Sequence, residues 1–293
     1  MLGSVRRLGG AVSLVAVAVL AGCSSGGPTS ASVAQTQPER ILAAPKDALS
    51  AGEPQPDGTM WVLAGTPTSR GLFKFDLGTG HGVGSISVSG ATRAVTQALS
   101  GTIGLALGTK NSGALQLLNG STAAVTKTVP LGAPARGIAV GADGTTFYVL
   151  NGTASSASVT IVNSQSGRVL GTVPVPLNAV SIAPGPQQTT LYALQPNGRV
   201  SEIAVAGGKI MDSFPVGESG DSLALSPDGN TLYALKSTSG TANVAVVNLA
   251  TDSVHQVLPA PGNSRQVLVS ADGSQLYELA GSSAYGNIQV FPA

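Results

Sequence analysis

Short apolar runs broken by glycine-centred turns recur along this chain about every 43 residues. The clearest copies are GIAVGADGTTFYVLN (Gly137 to Asn151), SLALSPDGNTLYALK (Ser222 to Lys236) and QVLVSADGSQLYELA (Gln266 to Ala280), and weaker copies begin at Ser181, Val95 and Pro54. Aligned on an aromatic residue or its equivalent, the units are marked by Trp61, Leu105, Tyr148, Tyr192, Tyr233 and Tyr277, with spacings of 44, 43, 44, 41 and 44. A repeat of this length signals an array of identical supersecondary units.

Within a unit the apolar positions predict four strands. A run such as Ser222 to Leu225 meets a turn at Pro227-Asp228-Gly229-Asn230, where glycine supplies a positive φ, and the Leu-Tyr strand follows. A third strand alternates around Val244 to Asn248, with counterparts at Leu72 to Asp76, Ala114 to Asn119 and Ser158 to Asn163. The fourth is expected at Val125 to Pro130, Val169 to Val175 and Ile210 to Val216. Four antiparallel strands per period, arranged radially, give an all-β fold, a six-bladed β-propeller. The last unit stops after its third strand at Phe291-Pro292-Ala293, whereas Glu39 to Pro45, ahead of the first unit, reads as an orphan fourth strand. The N-terminal segment is therefore expected to close the ring by pairing with the C-terminal blade, removing two open sheet edges.

These units resemble the YVTN-type β-propeller repeat of surface-layer and periplasmic proteins. The naming tetrad reads Tyr148-Val149-Leu150-Asn151 in the best copy and drifts to Tyr-Ala-Leu elsewhere. The likeness covers nearly everything after residue 39. Members commonly carry seven blades, so seven is the alternative that the resemblance implies, and it brings no common chemistry, since the repeat serves binding and scaffold roles.

Ahead of the repeats, Arg6 and Arg7 precede an apolar stretch from Ala11 to Leu20 that ends in Leu20-Ala21-Gly22-Cys23. This ending resembles the lipobox of bacterial lipoproteins. It implies a signal peptide over 1–22, cleavage before Cys23, and alkylation of the thiol by diacylglycerol, the only group expected to be added covalently. The apolar run is too short to span a bilayer. Residues 23–38 are rich in Ser, Thr, Gly and Pro and read as a tether reaching roughly 50 Å when extended. The propeller domain is then 39–293. The expected location is extracytoplasmic, on a bacterial membrane through lipidated Cys23.

Composition narrows the rest. Without Arg6 and Arg7 the 15 basic residues become 13 against 14 acidic ones, a formal charge of −1, which gives no bulk attraction for nucleic acid. Cys23 is the sole cysteine, so no intrachain disulfide is possible.

Candidate chemistry is sparse. His81 and His255 fall in or beside outer turns, and no metal-ligand spacing or Gly-x-Ser-x-Gly elbow occurs. Asp57, Asp143, Asp228 and Asp272 each precede a turn glycine and read as turn-stabilising residues. No catalytic residue, metal or other cofactor is assigned. The informative register lies twelve residues before the marker, at Arg93, Arg136, Val180, Asp221 and Arg265, where the innermost strands begin. There Arg93, Arg136, Asp221 and Arg265 would ring one channel mouth and hold an anionic or polar ligand. The competing expectation is that each arginine bonds carbonyls of the neighbouring blade while Asp221 neutralises one of them. The first functional reading is a binding or scaffold lipoprotein whose partner is an envelope protein, a glycan or a small anion. The second is a metal-assisted lactone or ester hydrolase built on Asp47, Asn178 and Asp221.

Overall fold

A computed structural model describes residues 37–153, 155–238 and 240–293. The expected signal peptide, Cys23 and all but the last two residues of the expected tether lie outside the described residues. The described chain forms 24 strands in six four-stranded antiparallel sheets, so the propeller has six blades and not the seven that the resemblance offered.

Blade 1 contains β2 (Ala48–Ala51), β3 (Thr59–Thr66), β4 (Ser69–Asp76) and β5 (Gly82–Val88). Blade 2 contains β6 (Thr92–Gln97), β7 (Thr102–Gly108), β8 (Gly113–Asn119) and β9 (Val125–Pro130). Blade 3 runs through β10 (Ala135–Val140), β11 (Thr146–Gly152), β12 (Ala157–Asn163) and β13 (Val169–Pro174). Blade 4 follows with β14 (Ser181–Pro184), β15 (Thr190–Leu194), β16 (Arg199–Ala204) and β17 (Ile210–Pro215). Blade 5 has β18 (Ser222–Leu225), β19 (Thr231–Thr238), β20 (Thr241–Asn248) and β21 (Ser253–Pro261). Blade 6 joins β22 (Ser264–Val269), β23 (Gln275–Gly281) and β24 (Gly286–Pro292) to β1 (Arg40–Ala44), which arrives from the opposite end of the domain. Arg40 lies opposite Val290 and Ala44 opposite Gly286, which is the closure that the orphan strand predicted.

The turn chemistry follows the sequence. Asp143 accepts from the Thr145 and Thr146 amides at 2.9 and 3.0 Å, and Asp228 accepts from the Asn230 amide at 3.0 Å. The next residues, Gly144 and Gly229, have φ of 63° and 77°, a region that side chains with a Cβ resist. Burial opposes the charge on Asp143, yet the bonds from Thr146 and Thr145 bring its pKa down to about 2.

Apolar side chains alternate between the two faces of each blade and pack into six slabs, one per seam around the ring. The seam between blades 1 and 2 contains Trp61, Leu63, Leu72, Val95 and Ile103, and that between blades 3 and 4 contains Tyr148, Leu150, Ile182 and Leu191. The aromatic markers are thus core residues. One alignment is corrected. In blade 3, Tyr148 opposes Ala139, four residues past the start of the innermost strand, and the corresponding pair in blade 2 is Gly104 with Thr96. Gly104, not Leu105, therefore occupies the tyrosine position, and the ring of Phe147 fills the space that a side chain would take, 2.9 Å from where a Cβ would stand.

The innermost strands are also stapled between blades by polar side chains. The Ser181 Oγ accepts from the Leu223 amide at 2.9 Å, and the Ser222 Oγ from the Val267 amide at 3.2 Å. Gln266 bonds both the N–H and the C=O of Ala51, at 2.8 and 3.0 Å, across the closing seam. Each bond satisfies a backbone group on the axial side of a strand that has no further strand to pair with.

Candidate functional site

The six innermost strands surround a central channel, and at one end their first residues form a mouth. Leu49, Arg93, Arg136, Val180, Asp221 and Arg265 all line a single cavity of about 280 Å³ there. The four residues singled out from the repeat register are therefore brought together.

The ladders show how the arginines are presented. In β6 pairing jumps from Thr92 to Ala94, in β10 from Ala135 to Gly137, and in β22 from Ser264 to Gln266. Arg93, Arg136 and Arg265 are the residues left over, each the extra residue of a β-bulge. A bulge re-aims its side chain out of the normal alternation, so three blades turn a guanidinium toward the mouth by the same device.

Their hydrogen bonding leaves most donors free. Arg93 Nε donates to Gly108 O at 3.2 Å and Arg136 Nη2 to Thr153 O at 3.1 Å. Both acceptors belong to the arginine's own blade, not to the neighbouring one that the sequence suggested. Asp221 forms no direct ion pair with an arginine among the described residues, and its Oδ2 accepts from the amide and hydroxyl of Ser237 at 2.7 and 2.6 Å. Among the described residues the ion pair present is Lys74 with Asp57 at 3.6 Å, remote from this mouth in sequence and strand position. Each guanidinium has five N–H donors, so Arg93, Arg136 and Arg265 bring more donors to the mouth cavity than Asp221 and Glu53, the two carboxyl groups that line it, can accept.

Arg70, in β4, lines a separate cavity but lies near enough to Arg93 to feel its charge. It is 9% exposed, and its Nε and Nη1 have no partner among the described residues. Burial, followed by the nearby charge of Arg93, presses its pKa below the ordinary arginine value. Nothing in the repeat register marks it, since it lies on a third strand.

Deeper in the channel, the next equivalent ring is Glu53, Gln97, Val140, Pro184, Leu225 and Val269. Burial pushes the Glu53 carboxyl up, against hydrogen bonds that include one from the Thr96 hydroxyl. Glu53, Val140, Pro184, Leu225 and Val269 line the mouth cavity and also a second cavity of about 300 Å³ at the far end, so the two cavities meet at this ring. Sequence reasoning missed Glu53, although its alignment with four apolar residues was a usable signal.

The set expected for a hydrolase is not assembled. Asp47 and Asn178 adopt left-handed backbone, with φ of 54° and 65°, in the connections before the innermost strands. Of the three residues, Asp221 alone lines the cavity. His81 is exposed between β4 and β5, and His255 is exposed on the outer strand β21.

No protein-family model matches the chain, and no curated protein matches it. Among solved structures, the chain is similar to Kuenenia stuttgartiensis hydrazine synthase, with a TM-score of 0.62, 17% identity and 83% of each chain covered. At that identity the likeness establishes the shared fold, a β-propeller, and nothing about chemistry.

Proposed function

We propose that this propeller is a binding module that holds a small anionic ligand at the arginine-lined mouth of its channel. The observation that carries the reading is that guanidinium groups from blades 2, 3 and 6 line one cavity, while the only acidic side chain of that ring is engaged by Ser237. Forked guanidinium donors suit carboxylate and phosphate oxygens. The module belongs, on this reading, to the YVTN-type lipoproteins outside the cell, attached to the membrane by diacylglycerol on Cys23. The strand directions agree with such a tether. β1 enters with Arg40 at the end of the ring opposite the mouth, where Arg40 Nη1 donates to Leu77 O at 3.0 Å.

Titration of the full chain with inorganic phosphate and with citrate, followed by calorimetry and by melting, tests the reading. At a hundredfold excess over its Kd a bound anion adds about 2.7 kcal/mol of stability. Arg93→Gln, Arg136→Gln and Arg265→Gln should each weaken binding by tenfold or more while melting of the ligand-free protein stays within about 2 °C. Large losses of stability with no anion bound would make the arginines structural. Labelling with a palmitate analogue, lost in Cys23→Ser, tests the anchor separately.

A further inference from the structure

The channel changes character along its length. At the mouth it presents arginines. Past the ring of Glu53, Val140, Pro184, Leu225 and Val269, the six blades contribute Pro54, Leu99, Ala142, Pro186, Pro227 and Ala271 to the far cavity. Glu53 is the only ionisable side chain among the described residues that line this far half. Together the cavities offer roughly 580 Å³, within the range of small-molecule sites. The innermost strand and the turn that follows it set the depth. Six residues separate Arg136 from Ala142, which at about 3.3 Å per residue bounds the distance at roughly 20 Å.

We infer that the ligand is an amphiphilic anion of the alkyl carboxylate class, with its head among Arg93, Arg136 and Arg265 and its chain lying along the channel past Leu225 and Val269 into the proline- and alanine-lined half. This rests on the anion reading of the mouth and adds the ligand's second half. Head and chain are recognised by different physics. The guanidinium forks bond the carboxylate, and the far half gains from excluding water from methylenes. At the junction the Glu53 carboxyl, bonded by the buried Thr96 hydroxyl, and Gln97, whose buried Oε1 has no partner among the described residues, are the polar contacts that the chain must pass. A ligand with a polar group part-way along its chain therefore binds more tightly than a plain alkyl chain of equal length.

The test is a calorimetric series on the full chain with inorganic phosphate, acetate, hexanoate, octanoate and decanoate, each kept below its micelle concentration. Affinity should rise about fourfold per added methylene. Arg136→Gln should weaken every member by a similar factor. Leu225→Asn should flatten the dependence on chain length. If phosphate and acetate bind while affinity is independent of chain length, the amphiphile is wrong and the anion mouth stands. If decanoate binds and Arg136→Gln has no effect, the head is misplaced and the inference falls. If no probe binds to the unmodified chain, both readings fall. The series on the unmodified chain separates these outcomes even should Leu225→Asn fail to fold.

Discussion

A chain beginning at Pro45, and so lacking β1, should melt roughly 10–20 °C below the full protein, in one transition. β1 contributes a five-residue ladder against β24 and the partly buried Leu42, which packs in the seam between blades 6 and 1. Leu42 accounts for about 2 kcal/mol, and each ladder hydrogen bond adds about 1 kcal/mol net. A total near 5 kcal/mol is a large share of what a domain has, and in a domain of this size 1 kcal/mol moves the midpoint by about 2–4 °C. The whole ring should respond because every blade is held on both faces by its neighbours. Blade 6 is also where the first and last strands of the described residues pair. Truncation further exposes the edge of β24, so the shortened protein should self-associate as concentration rises. Calorimetry and light scattering measure both effects. A midpoint within about 3 °C of the full chain would mean that the remaining strands of blade 6 hold the ring without β1.

The blade number and the closure were legible in the sequence for one physical reason. A sheet that packs on both faces needs alternating apolar residues at a fixed place in each unit, and a ring without open edges needs the missing strand of one blade supplied from the other end. Gly104 shows the limit of that reading. Phe147 of the next blade fills the volume above it, so the aromatic position tolerated glycine and the alignment slipped by one residue. The mouth was legible as a register position, because all innermost strands start at the same end. How the arginines are aimed was not, because a bulge is a property of pairing: Thr92 and Ala94, Ala135 and Gly137, and Ser264 and Gln266 look ordinary until their partners are known. The contest for Asp221 was equally hidden, since Ser237 is 16 residues away and is brought back only by the β18 to β19 hairpin. Asp47 and Asn178 looked like ligands because of their composition, yet they sit in connections that need a left-handed residue, a conformation that Asn and Asp tolerate better than most.

The second large effect comes from a carboxyl group placed where the other blades have hydrocarbon. Glu278 of β23 is 0% exposed and is equivalent in its ladder to Val62, Leu105, Val149, Ala193 and Ala234. Its Oε1 accepts from the Ser264 hydroxyl, and its Oε2 has no partner among the described residues. Burial pushes its pKa up to about 7, from an ordinary value of 4.5. The folded protein thus keeps the proton through a range in which the unfolded chain has already released it, so between those two values folding binds a proton and rising pH favours the unfolded state. The contribution is intact below about pH 4.5, declines through neutrality and is lost above pH 7, for a total of about 3 kcal/mol. Glu278→Val, which installs the residue of blades 1 and 3, should therefore stabilise the protein at pH 8 by about that amount relative to its effect at pH 4.5. Urea unfolding of both proteins at the two pH values isolates the difference, because every other titrating group is common to the pair. Parallel pH dependences would mean that the ionised carboxylate is accommodated in the seam between blades 5 and 6. That would require water or a side-chain rearrangement to reach Oε2.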